Sequence, residues 1–417
     1  MMKNNDKSLD SVHEDKCPGC GSTAIKTLKS PSESKVYLTD GDEMSVTFGL
    51  SGCEQCALIF LNPRMGPNKL SSYYKKQSRI PREELDQGSP FNNLMELQLD
   101  FIEKIKPIHT VRAALEIGCA EGFFLRNLQA RGKDEILLYG VELSDVYVQQ
   151  AKVNLKNQAV ILDTSIENAE FEEVKFDLII IRHVFEHLAD PVGMLKKIKI
   201  LLSPNGVVYI EVPDSEDIKL TISNFYHHEH LLYFTPLSLS LMLSRSGFQS
   251  YCCERFEGNP VNSGFSYPVI RSLSTISDST HPQIPAGHAS YVYNKNKLRL
   301  KDYHNSLLIN IRERLKRLNK NEKRIAIFGA GPHTVDFLEL LKSDNIRFEK
   351  IFDNNQNKQG KSLRGIPIVR PDNNTLKSVD CVLISSAEFE KEMITQVRAL
   401  VGNCVDIIAI YGNDNGH

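Results

Sequence analysis

The stretch VRAALEIGCAEGFFLRNLQARG, Val111 to Gly132, decides the fold. It opens on an apolar run, breaks at Gly118 and Gly122, and continues with a helical pattern. A strand, a tight turn and a helix follow from that order, because glycine takes backbone angles closed to other residues and lets the chain approach a ligand closely. The helix start also leaves backbone N–H groups free to face a ligand. The candidate contacts are Glu116, Gly118, Cys119 and Gly122.

Outward from the turn, LLYGVELSD supplies a second strand ending in Glu142, with Leu143 beside it. A carboxylate at that place accepts both ribose hydroxyls of a nucleoside cofactor. Two cofactor classes compete, a dinucleotide and S-adenosylmethionine. A pyrophosphate needs a middle glycine, whereas this turn runs through Cys119, Ala120 and Glu121, with a second acid, Glu116, on the strand. Those charges repel a pyrophosphate and suit the cationic sulfonium and ammonium of S-adenosylmethionine. ILDTSIENAEF then reads as a strand and a loop facing adenine, with Ser165 and Ile166 at the turn. KFDLIIIRHVFEHLADP is a strand ending at Arg182 and His183, then a helix, and LLSPNGVVYIEVPD is the next strand. The order predicts an α/β, doubly wound, Rossmann-like sheet with its ligand at the carboxyl ends of the strands.

The 417-residue chain is 41% hydrophobic and 24% charged, with a formal net charge of −2 and nine cysteines. Neither nucleic acid nor a membrane is expected as partner from that balance. The apolar runs are strand-sized, short of the roughly 20 residues of a bilayer span. The polar start MMKNNDKSLDSVHEDK has no apolar core of a signal peptide, which predicts a disordered tail over residues 1–15 and a cytoplasmic protein.

KCPGCGS and GCEQCALIF place Cys17, Cys20, Cys53 and Cys56 in two C-x-x-C knuckles. Two such turns complete a four-thiolate site for structural Zn²⁺, and the insert between them reads as strands around a DG turn. At the other end, KRIAIFGAGPHTVDFLELL gives Gly329, Ala330 and Gly331 after a strand, with Asp353 near the start of the next block. This is a second Rossmann-like pattern, preceded by a helix in LRLKDYHNSLLINIRERLKRLNK.

LEIGCAEG, GVELS, FDLIIIRHVFEHLADP and LSPNGVVYIEVPD together resemble the class I S-adenosylmethionine-dependent methyltransferases. With the cysteine module before them and DNNQNKQGK after them, the chain resembles the three-domain sugar C-methyltransferases. The resemblance implies a zinc-binding domain over residues 16–75, a methyltransferase core over 90–255, a substrate-pocket segment and linking helix over 256–320, and a C-terminal domain over 321–417. It implies a small-molecule acceptor, a nucleotide-linked sugar, and a monomer or homodimer. Tyr73 and Tyr74 in SSYYKKQS stand where that family carries Y-H-S-S, and Gly258, Asn259, Asn262 and Ser263 stand near its G-G-S-L-R stretch. An O- or N-methyltransferase of another metabolite, and a non-catalytic binding module, are the alternatives.

The same family places FYHHEHLLYFT, Phe225 to Thr235, in its active site. By resemblance, Glu229 and His230 act there, His230 as the general base oriented by Glu229, with Tyr226 and His187 lining the cavity and His183 near the cofactor. A histidine of ordinary pKa takes an acidic C–H proton near neutral pH. In a regular strand His228 and His230 share one face while His227 and Glu229 share the other, so neither face supplies three metal ligands. His183 and His187 stand i, i+4 at an expected helix start.

Overall fold

The computed structural model describes residues 11–37, 43–76, 90–132, 136–216, 218, 225–256, 268–277, 287–387 and 389–411. The expected DG turn at Asp40, the stretch Gly258 to Ser263, and residues 1–10 of the expected tail lie outside the described residues.

The N-terminal elements are β1 (Ser11–Val12), β2 (Ile25–Tyr37), β3 (Glu43–Cys53), β4 (Ile59–Leu61), β5 (Arg64–Met65) and α1 (Pro67–Lys76). Residues 11–15 are therefore not tail. Ser11 and Val12 pair with Met65 and Arg64, and the Arg64 guanidinium donates to Glu14 at 2.7 Å.

The middle of the chain runs α2 (Pro90–Glu103), β6 (Ala113–Ile117), α3 (Phe123–Arg131), β7 (Leu137–Glu142), α4 (Asp145–Asn154), β8 (Ala159–Asp163), β9 (Phe176–Arg182), α5 (Pro191–Leu201), β10 (Leu202–Pro213), β11 (Leu232–Tyr233), α6 (Pro236–Arg245), β12 (Phe248–Phe256) and β13 (Val269–Ile276). Seven of these strands form one sheet in the order β12-β13-β10-β9-β6-β7-β8. The run from β8 to β10 is parallel, while β13 is antiparallel to both its neighbours. The core sheet thus extends past residue 255, because β13 fills the slot between β10 and β12. Local signals set the helix starts. Asp190 caps α5 by accepting from the Gly193 amide at 2.8 Å, with Pro191 in the first turn. Thr235 and Ser238 close a capping box on α6.

Strand alternation splits the core. Ala113, Leu115 and Ile117 of β6 face one cluster, and Ala114 faces the other with Phe124, Leu125 and Leu128 of α3. The first cluster also contains Val46, Phe48, Leu50 and Phe60 of the N-terminal module. The two units do not have separate cores. The link is β11, which leaves the large sheet and completes a four-stranded sheet in the order β11-β4-β3-β2.

Helix α7 (His288–Lys320) leads to β14 (Ile325–Phe328), α8 (Pro332–Leu340), β15 (Lys350–Phe352), β16 (Ser362–Leu363), β17 (Ile366–Val369), α9 (Asn373–Lys377), β18 (Cys381–Ile384), α10 (Glu390–Val401) and β19 (Asp406–Ala409). These strands form a second sheet, β16-β17-β15-β14-β18-β19, parallel except at β16. No helix among the described residues is long and apolar enough to cross a membrane.

Candidate functional site

The glycine turn between β6 and α3 is strained where a cradle requires it. Gly118, Ala120 and Gly122 have φ of 71°, 44° and 76°. A Cβ on Gly118 would stand 2.3 Å from Val184 Cγ2, so only glycine fits. The Glu142 carboxylate, at the carboxyl end of β7, accepts from the amides of Ala120 at 3.0 Å, Leu143 at 2.8 Å and Ser144 at 2.9 Å. Burial raises its pKa, and those three amides work against the rise. Leu143, 40% exposed, offers an apolar surface beside it.

The other expected cofactor residues divide. Glu116 is buried, and its Oε1 accepts from Arg182 Nε at 3.1 Å and Nη2 at 2.8 Å. Its charge is therefore offset within the chain, but Oε2 has no hydrogen-bond partner among the described residues. That orphaned oxygen fits the ammonium of S-adenosylmethionine. Cys119 is a packing residue, since a Cβ on Gly140 would meet its sulfur at 2.6 Å. Ile166 is buried in the core cluster, and the Ser165 carbonyl accepts from the Ala169 amide at 3.0 Å. Asp163, exposed and in register with Glu142, was passed over in the sequence although it ends the neighbouring strand.

On the acceptor side, residues 225–231 form a turn, and strand begins only at Leu232. Side-chain alternation does not apply, so His227, His228, Glu229 and His230 are not split between two faces. The expected helix carrying His183 and His187 is also absent. β9 ends at Arg182, His183 takes a left-handed φ of 52°, one 3-10 turn spans Phe185–His187, and α5 starts at Pro191.

These loops bring distant residues together. His187 Nδ1 lies 2.9 Å from the Glu229 carbonyl oxygen and 2.8 Å from the Tyr74 hydroxyl. Nδ1 is thus the fixed side of the ring, and Nε2 is the side turned toward Glu186. The rings of His187 and His230 are 4.9 Å apart. Glu186 sits among three imidazoles, its Oε1 3.7 Å from His183 Nδ1, 3.9 Å from His187 Nε2 and 4.0 Å from His230 Nε2. Both Glu186 oxygens are buried without a hydrogen-bond partner among the described residues. Burial, then the neighbouring imidazoles of His227 and His187, push the pKa of His230 well below its ordinary value, so the ring rests neutral with a lone pair free, as a weaker base than a solvated imidazole.

Two expected roles change. Glu229 does not orient His230, because its carboxylate accepts from the Tyr73 hydroxyl and faces His228 at 4.0 Å. Tyr226 packs against Phe225, Tyr233 and Tyr293 and accepts from Asn296 Nδ2 at 3.3 Å, in the aromatic core behind the turn. Glu211 at the end of β10 went unnoticed in the sequence. It accepts from Gln98 Nε2 at 2.7 Å and Tyr209 at 2.6 Å, and faces His183 Nε2 at 3.3 Å.

The strand order, with one antiparallel strand between β10 and β12, is that of class I methyltransferases, and residues 93–252 match the family model described as a methyltransferase domain. Residues 93–252 are a methyltransferase domain. Residues 321–404 match a second model, described as C2185-like, N-terminal. The chain is similar to a tRNA U34 carboxymethyltransferase of Sulfurimonas denitrificans, 31% identical over 148 residues, covering 34% of this chain and 49% of that protein. It is 26% identical over 128 residues to a ubiquinone biosynthesis O-methyltransferase of Histophilus somni, covering 29% of this chain and 52% of that protein. The chain thus spans about half the length of these curated relatives. A solved S-adenosylmethionine-dependent methyltransferase of Clostridium acetobutylicum shares 14% identity at a TM-score of 0.36, covering 50% of this chain and 98% of that one.

Beside the methyltransferase domain, the four cysteine sulfurs lie within 4.8 Å of one another. Cys17 and Cys56 Sγ are 3.4 Å apart, and Cys20 and Cys53 Sγ 3.6 Å. A tetrahedral Zn²⁺ with sulfurs at about 2.3 Å needs edges of about 3.8 Å, so the cage has the right size. The Gly19 and Gln55 amides donate to Cys17 and Cys53 sulfurs at 3.4 and 3.3 Å, as thiolates require.

Proposed function

We propose that this chain transfers the methyl group of S-adenosylmethionine to a carbon of a nucleotide-linked sugar or related glycan precursor. His230 serves as the general base, and Cys17, Cys20, Cys53 and Cys56 hold a structural Zn²⁺. The cofactor supplies an electrophilic methyl group. The chain's own residues do the rest: they remove a proton from the carbon beside a carbonyl and hold the resulting enolate against that methyl group.

The observation that carries the reading is the convergence of Tyr74, Glu186, His187 and a neutral His230 at the same strand ends as the glycine turn. Carbon acids are weak, so such an acceptor needs a positioned base, whereas an already acidic hydroxyl needs less. A nucleotide-linked acceptor is supported by a repeated geometry. Asp353 accepts from the Ala330 amide at 2.8 Å, as Glu142 accepts from Ala120, so the C-terminal sheet carries a second carboxylate of the ribose-binding kind. Transfer to oxygen is the second reading, favoured by the name of the Histophilus somni relative.

The deciding experiment incubates the protein in D₂O with a panel of nucleotide-linked keto sugars and no cofactor. Deuterium enters at the carbon beside the carbonyl, and added S-adenosylmethionine places labelled methyl on that carbon. His230→Ala loses both. Methyl on a hydroxyl oxygen without deuterium uptake rejects the carbon reading and establishes the second.

A further inference from the structure

We infer that Glu186 and His183 carry the proton taken up by His230 out to solvent. The inference rests on the reading of His230 as the base. Methyl transfer from a sulfonium to a carbon acid releases one proton per turnover, so the base must be emptied each time. The His230 side chain is 18% exposed and Glu186 2%, whereas His183 is 47% exposed. The three therefore form a line from a buried base to open solvent.

The spacing suits relay rather than static bonding. Glu186 Oε1 is 4.0 Å from His230 Nε2 and 3.7 Å from His183 Nδ1, beyond direct hydrogen bonds yet within reach of one bridging water or a small side-chain shift. A buried carboxylate with neither oxygen bonded is costly, and an arriving proton or water relieves that cost. His183 is held for the task. Its Nε2 faces Glu211 Oε1 at 3.3 Å, which turns Nδ1 toward Glu186, and its left-handed backbone is a strain tolerated at functional positions. His187 is the other neighbour of Glu186, through Nε2 at 3.9 Å, but its ring is fixed at Nδ1 by Tyr74 and the Glu229 carbonyl and is 22% exposed, so the more open exit is His183. Burial works to lower the His183 pKa, but the carboxylates of Glu186 and Glu211 raise it to about 10, so the ring rests protonated. In each cycle a proton moves from His230 to Glu186, which removes one of the charges holding the His183 proton; His183 then releases its proton to buffer and takes the one from Glu186, and all three groups return to their starting state.

The test compares one turnover with many. His183→Asn suits the left-handed backbone, and Glu186→Gln keeps the shape of the buried side chain. His183→Asn should keep the rate of the first methyl transfer, measured by rapid quench, while steady-state turnover falls about 10²-fold, the lower range for a positioned proton-transfer group. Glu186→Gln, which also removes a charge beside His230, should slow both, with the larger loss in steady state. Added imidazole buffer should restore His183→Asn in a concentration-dependent way, a response that a merely structural role does not give. Unchanged turnover in His183→Asn, or an equal loss in the first turnover that imidazole does not rescue, overturns the relay. So does a bound-metal count that drops by one in Glu186→Gln, because the donor atoms of Glu186, His187 and His230 lie within 4.8 Å and would then be ligands. Persistent deuterium exchange in His230→Ala is a different failure, that of the base itself.

Discussion

The Leu61 amide donates to the Leu231 carbonyl at 2.9 Å, directly behind His230. Leu232 and Tyr233 continue the contact by pairing with Phe60 and Ile59. β4 begins three residues after Cys56, so the cysteine cage sets the strand that holds the histidine turn. Protein purified without chelator should contain Zn²⁺ on this cage by elemental analysis. Stripping the metal, or Cys20→Ser, should abolish methyl transfer while calorimetry still finds S-adenosylmethionine bound, because Glu142 and the Gly118 turn are held by bonds between β6 and β7 and not by β4. Equal loss of both would show that the shared core collapses as one unit.

Glu142 anchors the glycine turn through the Ala120 amide. Glu142→Ala should weaken S-adenosylmethionine binding by about 1–3 kcal/mol, the scale of hydrogen bonds to a charged group. Part of that loss comes from releasing the Ala120, Leu143 and Ser144 amides, so Glu142→Gln should lose less. Calorimetry on the three proteins gives the order directly. Tight NAD binding with none of S-adenosylmethionine would reverse the cofactor assignment.

Tyr74 is the one contact that α1 makes with His187 through a ring nitrogen among the bonds described above. Tyr74→Phe keeps the edge-on ring packing, at 5.8 Å between centroids, and removes the hydroxyl. The hydroxyl also lies 3.2 Å from the Glu229 carbonyl, and each hydrogen bond lost is worth about 1 kcal/mol, so kcat should fall at least several-fold with the affinity for S-adenosylmethionine unchanged. A Tyr74→Phe enzyme with full kcat would mean that the Glu229 carbonyl alone holds His187.

The features legible in the sequence are those whose chemistry repeats at short spacing. The glycine turn, Glu142 at the next strand end and the paired cysteines each announce themselves within a few residues. The acceptor side is different, because its partners are far apart in the chain. Glu186 and His230 are brought together by two loops that the sequence reads as a helix and a strand. Phe185–His187 is held as a single 3-10 turn before Asp190 and Pro191 start α5. The Phe225–Leu231 turn is fixed by bonds to Tyr73, Tyr74 and β4 rather than by any periodicity of its own. Glu186 was visible only as an acid between two histidines in RHVFEH. Nothing local distinguishes it from a helix residue on a solvated face.

The C-terminal sheet carries a pH prediction of its own. His333 lies on α8, 9% exposed, with Nδ1 2.9 Å from the Ser385 hydroxyl and Nε2 2.6 Å from the Tyr411 hydroxyl. Burial lowers its pKa from 6.5 to about 4, so the fold holds this imidazole neutral where the unfolded chain protonates it. Between those two values the unfolded state binds the extra proton, and stability therefore rises with pH. The contribution is complete above pH 6.5, declines as acid is added, and is gone below about pH 4. A shift of that size is worth about 3 kcal/mol. Denaturant unfolding followed from pH 7 to pH 4 should show the decline, and His333→Asn should flatten it, because an amide keeps hydrogen-bonding groups without titrating. A ¹H–¹⁵N titration that places the His333 pKa near 6.5 would show the site open to water, and the slope would then belong to other groups.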